Sequence, residues 1–598
     1  MRLKDYLIIV LCLAVGGAFL VGAASQLESI RAAREKMGLV ATAPLENAPP
    51  SLAFATVAMG AFRGLVVNIL WMRADTLKQE GKFFDAKQLA EWITTLQPRF
   101  AAVWDFHAWN MAYNISVAIP NTQPEERWRW VRNGYELLRD RAIPLNPKSI
   151  LLYRSLAWIF QHKIGDISDD CNRYYKKEIA LSIRSVLGPS PDNAYFDRLA
   201  AAPKTLDAAM ADPETARFIA ELQQADQAFA ERDTLVNNYL SLRQTPERFS
   251  KEAFAVIDAW RGKEALEAFD IFARASKLRS EWKFDIDYMV QLNKEFGPVN
   301  VIDPNQTYPL NWENPGAHAI YWGSLGLKVA GRPEQYRIDE KNTDRIVFHS
   351  LQMLYRSGRV VLYEEPGQGM AVYLLPDMRM FDVCNRFWQK IIAKYEEFEG
   401  GNPKAVRGGH KNFLENAVLM FYQSGQVKKA AQIYRQLQTQ HEFDEQGFVR
   451  SEYKAPLMTF VHELLKQELD GIGIQDATEF IVSVLREGYF RYALREDDEA
   501  AGRENIAREV YELYQEEMGR QEQNRLGLPS LDRLRYQAFI MFLEDPSYPE
   551  TLRTNLLGRI RVERPDVFEK LQQQESKMLE ELRRQQEQEQ GQPQPQNG

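Results

Sequence analysis

Small and apolar residues recur in this chain at a fixed spacing. Leu70, Ala74 and Leu77 are followed 34 positions later by Trp104, Ala108 and Met111, with Gly81, Phe83, Ala86, Ala90, Ile93 and Pro98 between the two sets. Apolar residues three and four apart share one face of a helix. A glycine between two such runs supplies a turn, and a proline closes the second run. A unit of this length is a helix–turn–helix that must stack on a neighbour to bury its apolar face. A third start, Tyr153, Leu156, Ala157 and Phe160, follows Asn146-Pro147 and lies 49 residues after Trp104. The second unit therefore carries about 15 extra residues, placed around 119–124. A fourth set stands far downstream: Leu414, Ala417, Val418, Phe421, Gly425, Val427, Ala430, Tyr434 and Leu437.

On these residues the chain resembles the tetratricopeptide repeat (TPR) superfamily, specifically bacterial membrane-anchored TPR proteins. The resemblance covers four units, about a quarter of the chain. It implies an all-α, TPR-like helical-hairpin array (an α-solenoid) that binds a protein partner along a concave face. By the same resemblance, positions 5, 9 and 13 of each first helix face that groove. They are Asp75 and Gln79 in the first unit, Asp105, Trp109 and Tyr113 in the second, and Arg154, Trp158 and His162 in the third. The Lys/Asn clamp with which some TPRs hold a C-terminal carboxylate is not reproduced. Trp, Tyr and Arg are residue types that dominate binding hot spots. A partner segment lying across them is expected to carry an apolar anchor and an acidic group for Arg154. Ala86 and Ala157 are expected where paired helices approach most closely.

Most of the remaining body also has helical periodicity, clearest at 212–245, 249–280, 285–296, 341–357, 379–398, 455–470, 474–494, 500–520 and 529–544. Residues 317–329 read as a further first-type helix, preceded by a Pro- and Asn-rich crossing loop at 301–315. One segment departs from this pattern. Residues 359–364 and 370–375 are β-branched and aromatic around Pro366-Gly367-Gln368-Gly369, which predicts a small β-hairpin insertion near 359–375. The resulting domain reading is a membrane anchor at 1–25, a linker at 26–50 and TPR-like repeats at 51–165. An irregular helical region follows at 166–300, then helical pairs with the hairpin at 301–400. A second TPR-like region at 401–545 leads to C-terminal helices at 546–586 and a disordered Gln/Pro tail at 587–598.

Residues 6–24 contain no charge, and 19 residues is close to the ~20 that cross a bilayer. This predicts one N-terminal transmembrane signal anchor, with a cleaved signal peptide as the other reading of the same segment. A short tail before a single span stays in the cytoplasm, which exports the bulk of the chain to the periplasmic side. A second apolar stretch, 52–72, carries Arg63 and Asn68 in its interior. A central Arg costs roughly 2.5–3.5 kcal/mol on insertion.

No catalytic motif is present. The seven histidines are isolated in sequence, His462-Glu463 is followed by Lys466 where a second zinc ligand would stand, and no CxxC, phosphate loop or GxSxG elbow occurs. Asp166, Asp169 and Asp170 cluster near Cys171 but lack the glycine and glutamate of an EF-hand loop. The expectation is no catalytic, cofactor or metal site. A net charge of −8 argues against nucleic acid as a partner. The function expected is a membrane-tethered scaffold for protein–protein interaction in a bacterial cell envelope. The alternatives are an all-helical envelope-polymer hydrolase using acids such as Asp105 or Asp166, or a purely structural membrane-bound component.

Overall fold

The computed structural model describes residues 62–590, except 190, 243, 301–302, 331–337, 366–368, 400–403, 425, 444–448, 470–473, 521–527 and 546–547, and a few positions between 15 and 32. Nearly all of the anchor read at 6–24, the linker after it and residues 591–598 lie outside the described residues. None of the described helices is long and apolar enough to cross a membrane. The described chain is all-α apart from one β-hairpin and two isolated bridges. It falls into two compact units, one ending at Val103 and one running from Trp104 onward.

In the first unit, α1 (Phe62–Gln79) and α2 (Phe83–Leu96) pack as a hairpin. Val67 and Ala74 on α1, and Ala86, Leu89, Ala90 and Ile93 on α2, are buried. These follow the small-and-apolar spacing of the sequence: alanines admit close approach, and the branched residues fill the seam beside them.

The next three helices each end in a π-helical turn. α3 (Ala101–Trp109) runs into Asn110–Ile115, α4 (Pro124–Glu136) into Leu137–Ala142, and α5 (Ile150–Trp158) into Ile159–Ile164. The extra 119–124 residues form the loop that enters α4, whose first residue is Pro124, a position where a missing N–H costs nothing.

Sequence neighbours do not complete the third unit. α5 packs instead on α13 (Pro315–Ala330) and α14 (Ile338–Ser357). Between them the chain makes an excursion through α6 (Asn172–Leu187), α7 (Asn193–Ala201), α8 (Pro213–Ala225), α9 (Arg232–Ser241), α10 (Lys251–Trp260), α11 (Glu264–Ser280) and α12 (Ile286–Phe296). Part of that excursion has its own core of Phe218, Leu222, Phe229, Leu235, Trp260 and Phe269. Two of the long helices read from periodicity are broken here. The 212–245 helix stops at Asp226, whose carboxylate accepts the Ala228 N–H (2.9 Å) and the Ser250 N–H (2.6 Å) instead of continuing the ladder. The 249–280 helix is cut at Gly262, whose φ of +76° is left-handed and open to glycine at little cost.

The α5–α13 seam depends on small residues. A Cβ on Gly326 would lie 2.7 Å from the Tyr153 Cβ, and one on Gly323 would lie 3.8 Å from the Ala157 Cβ. Ala157 itself is fully buried. Ala157→Phe should therefore overpack this contact and lower stability by about 1–3 kcal/mol. Thermal unfolding followed by circular dichroism reads this as a lower melting temperature, with a change at Gln588 as the neutral control. Equal melting of the two variants would show that α5 can move away from α13.

After α14 comes the hairpin, β1 (Arg359–Glu365) and β2 (Gly369–Leu375), antiparallel with Arg359 opposite Leu375 and Glu365 opposite Gly369. The array then resumes with α15 (Phe381–Glu399), α16 (Lys404–Gln423) and α17 (Val427–Gln440). In the α16–α17 pair, Leu414, Ala417, Val418, Phe421, Ala430, Tyr434 and Leu437 are all buried, as their spacing predicts. α18 (Leu457–Leu469), α19 (Ile474–Ala493), α20 (Asp497–Arg520), α21 (Leu531–Glu544), α22 (Glu550–Glu563) and α23 (Pro565–Gln590) complete the unit. Arg359 ties the base of the hairpin to Glu496 and Glu499 at the start of α20.

Candidate functional site

Four of the groove residues read from the sequence form one aromatic strip. Trp109 and Tyr113 lie four apart, so the last turn of α3 stacks their rings at 4.1 Å between centroids and 16° between planes. Trp158 and His162 have the same spacing on α5 and its π-turn, with ring centroids 4.6 Å apart and planes 11° apart. The two pairs meet through Tyr113 and His162, whose rings are 5.9 Å apart, with the Tyr113 hydroxyl 3.4 Å from His162 Nδ1. The strip thus runs Trp109, Tyr113, His162, Trp158. Trp109 is 39% exposed and the other three are half-buried. Both middle residues stand in π-turns, which add a residue to the turn and re-aim the side chains that follow.

Burial dominates the electrostatics of the strip. It pushes the Tyr113 phenol far above its ordinary range, helped by the Asp166 and Asp169 charges. The Trp158 indole N–H lies near that phenol, short of well-formed hydrogen-bond geometry, and opposes the rise. Burial also pulls His162 down, and Lys163 adds to this while Asp166 opposes it. The ring is therefore a neutral, aromatic element at neutral pH.

Beneath the strip is a buried ionic network. The Asp169 carboxylate accepts from Lys163 Nζ at 2.6 Å, from Arg127 Nη1 at 3.2 Å and from the Cys171 backbone N–H at 2.8 Å. Arg127 also donates to the Ile119 carbonyl at 2.7 Å, and the Lys163 ammonium sits 5.2 Å from the centre of the Tyr113 ring. Arg127, Lys163 and Asp169 are all buried. The network pins the loop between α5 and α6. At the tip of that loop Ile167 is 83% exposed, and the Ser168 hydroxyl donates to the His162 carbonyl at 3.1 Å. The acidic cluster near Cys171 is thus a structural tie: the carboxylate best placed to hold a cation is already bonded to two side-chain cations.

The remaining groove residues have other roles. Arg154 does not await an acidic partner group, because its guanidinium donates to Asp339 at the start of α14. Asp105 is half-buried one turn before Trp109. Asp75 belongs to the first unit, where it accepts from Gln79 Nε2 at 2.9 Å.

A second polar assembly was hidden by sequence distance. The side-chain amides of Asn385 on α15 and Gln436 on α17 pair reciprocally at 2.9 and 3.0 Å. That fixes Asn385 Oδ1 as an acceptor, so His410 on α16 donates to it through Nε2 at 2.9 Å. His410 Nδ1 must then accept from His441 Nε2 at 3.2 Å. Both rings are neutral in this chain of bonds. His410 is pulled down to about 3 by burial, by His441 and by Arg407. His441 falls to about 4 through burial, Arg407, Arg450 and Lys411, against the opposing charge of Glu415.

Among the described residues no group of three or more His, Cys, Asp or Glu side chains could hold a metal ion. The cleft between α4, α6 and the end of α11 has a volume of ≈ 580 Å³ and includes Glu136, Glu178 and Glu281 in its wall. Glu136 pairs with Arg132 at 3.1 Å, Glu178 with Lys177 at 3.9 Å, and Glu281 with Lys277. No protein-family model matches the chain, and no curated protein is significantly similar to it.

Proposed function

We propose that the protein is a membrane-tethered, TPR-like helical-repeat scaffold that holds a partner protein at the aromatic strip, working in a bacterial cell envelope. One observation carries this reading: four aromatic residues from two predicted units lie in one contiguous strip, with Trp109 open to solvent. Aromatic anchors of this kind contribute hot-spot energies of about 2 kcal/mol or more. They present large area at little entropic cost, because each has two side-chain torsions. The loop tip at Ile167 adds an apolar contact beside them, on a base held still by Asp169. The partner expected is a segment with an apolar or aromatic anchor and no required acid, since Asp339 already neutralises Arg154.

The test is photo-crosslinking in intact membranes with a benzophenone amino acid at Val117, one turn beyond Tyr113 and 51% exposed. A discrete adduct should form in the parent chain and disappear in Trp109→Ala/Ile167→Ala. Circular dichroism and membrane flotation should be unchanged, because neither residue is in the core. An adduct of equal yield in the variant would remove the strip as the docking site.

A further inference from the structure

We propose that the outer face of α1 lies on a lipid bilayer surface, an inference that rests on the membrane-tether reading above. Residues 64–72 carry no charge. The inner side of this stretch packs against α2 through Val67, with Leu70 and Trp71 half-buried. The opposite side is also apolar: Leu65, Ile69 and Met72 are 58%, 52% and 62% exposed. Their spacing, four and then three, puts them on one stripe about half a turn of the helix away from Val67 and Ala74.

Apart from the exposed Asn68 at the edge of the stripe, the helix is apolar on both faces over two turns, and each apolar face calls for a non-aqueous neighbour. One is α2. For the other, lipid is favoured by where this face sits in the chain. A further uncharged stretch, residues 51–62, precedes residues 64–72 and is separated from them only by Arg63. Only 37 residues separate residue 24, the end of the span-length stretch, from Phe62. A tether fixed at that stretch keeps α1 within reach of the bilayer. The described helix is not long and apolar enough to cross, so its apolar side would enter the boundary between headgroups and acyl chains, as surface-lying helices do. The stripe turns polar at its C-terminal end, where Thr76 and Gln79 are exposed, with Arg73 and Lys82 nearby to meet headgroups. Trp92 on α2, 50% exposed, is the residue type that settles at that depth.

The experiment uses the full chain, carrying Cys12→Ala, reconstituted in vesicles of phosphatidylcholine and phosphatidylglycerol. Single Ile69→Cys, Met72→Cys and Gln79→Cys variants carry an environment-sensitive fluorophore, and lipids brominated near the top of the acyl chains act as quencher. Cys171 and Cys384 are buried and stay unlabelled. The expected result is at least two-fold quenching at positions 69 and 72 with little change at 79. Equal, weak quenching at all three in a chain that floats with the vesicles would overturn this inference and leave the tether standing. Failure to float would overturn both. A disulfide between two copies at position 69, formed on air oxidation of the unlabelled Ile69→Cys variant while the labelled variant shows no quenching, would assign the face to a second copy of the chain and overturn the lipid assignment.

Discussion

Asp169→Ala should cost about 3–5 kcal/mol of stability, the largest single-residue effect expected in this protein. The Asp169 and Lys163 side chains are 2% and 3% exposed and that of Arg127 is 8% exposed. Alanine would leave two cations out of water without a counter-ion, and it would also free the Cys171 N–H. Replacing all three at once with apolar residues of similar size (Arg127→Met, Lys163→Met and Asp169→Leu) should cost much less, because no charge is then stranded. Denaturant unfolding of the three-fold and single variants measures that difference. Hydrogen exchange at Ile167 and Ser168 should rise in Asp169→Ala, since the loop between α5 and α6 loses its tie. Capture of the proposed partner at the strip should fall with it, although Asp169 is itself buried. A cost below about 1 kcal/mol would mean that water reaches the two cations and replaces the carboxylate.

Acid should destabilise the fold well before the carboxylates titrate. Three histidines are neutral and buried inside hydrogen-bonded sites: His318, His410 and His441. His318 packs on Phe160 and Trp282 and is bonded through Nε2 to the Trp312 carbonyl at 2.8 Å. Burial pulls it down to about 4; the Trp312 carbonyl opposes this and Arg139 adds to it. In the unfolded chain each of these imidazoles takes up a proton below its ordinary value near 6.5. In the folded chain they stay neutral to about 4 or below. The unfolded state therefore binds more protons in that window, and stability falls as pH falls from about 6.5 towards 4. Above pH 7 the contribution is fully present. His318 alone should account for about 1.4 kcal/mol lost by pH 5.5 and about 3 kcal/mol by pH 4. His410 and His441 add to this as a pair, since protonating His410 Nδ1 removes the acceptor of the bond between them. Denaturant midpoints measured between pH 7 and 5.5 test this, with His318→Gln and His410→Asn each expected to flatten the slope. An unchanged slope in both variants would sink it.

Much of this architecture is legible in the amino-acid sequence. Small residues at helical spacing predict the α1–α2 and α16–α17 pairs, because a small side chain lets two backbones approach closely. Ala74, Ala86, Ala90, Ala417 and Ala430, all named from that spacing, are fully buried. The β-hairpin is equally local: β-branched runs around Pro-Gly-Gln-Gly leave little else for 359–375 to do. Within the site, the i, i+4 pairs Trp109–Tyr113 and Trp158–His162 also follow from the helix alone. What periodicity cannot carry is the partner of an element. That α5 meets α13, rather than the helix that follows it, depends on the fit of Ala157 and Tyr153 against Gly323 and Gly326. Such a match of surfaces has no signature in either segment. Chain breaks inside a periodic run escape for a related reason: one Gly262 or one Asp226 side chain competes locally with the helix, and the periodicity on either side of it is unchanged. The charges are the least legible of all. Asp169 with Arg127 and Lys163, Arg154 with Asp339, and His410 with His441 are pairings across folded distance. A charge has no meaning for stability or binding until the tertiary structure decides which opposite charge it meets and how little water lies between them.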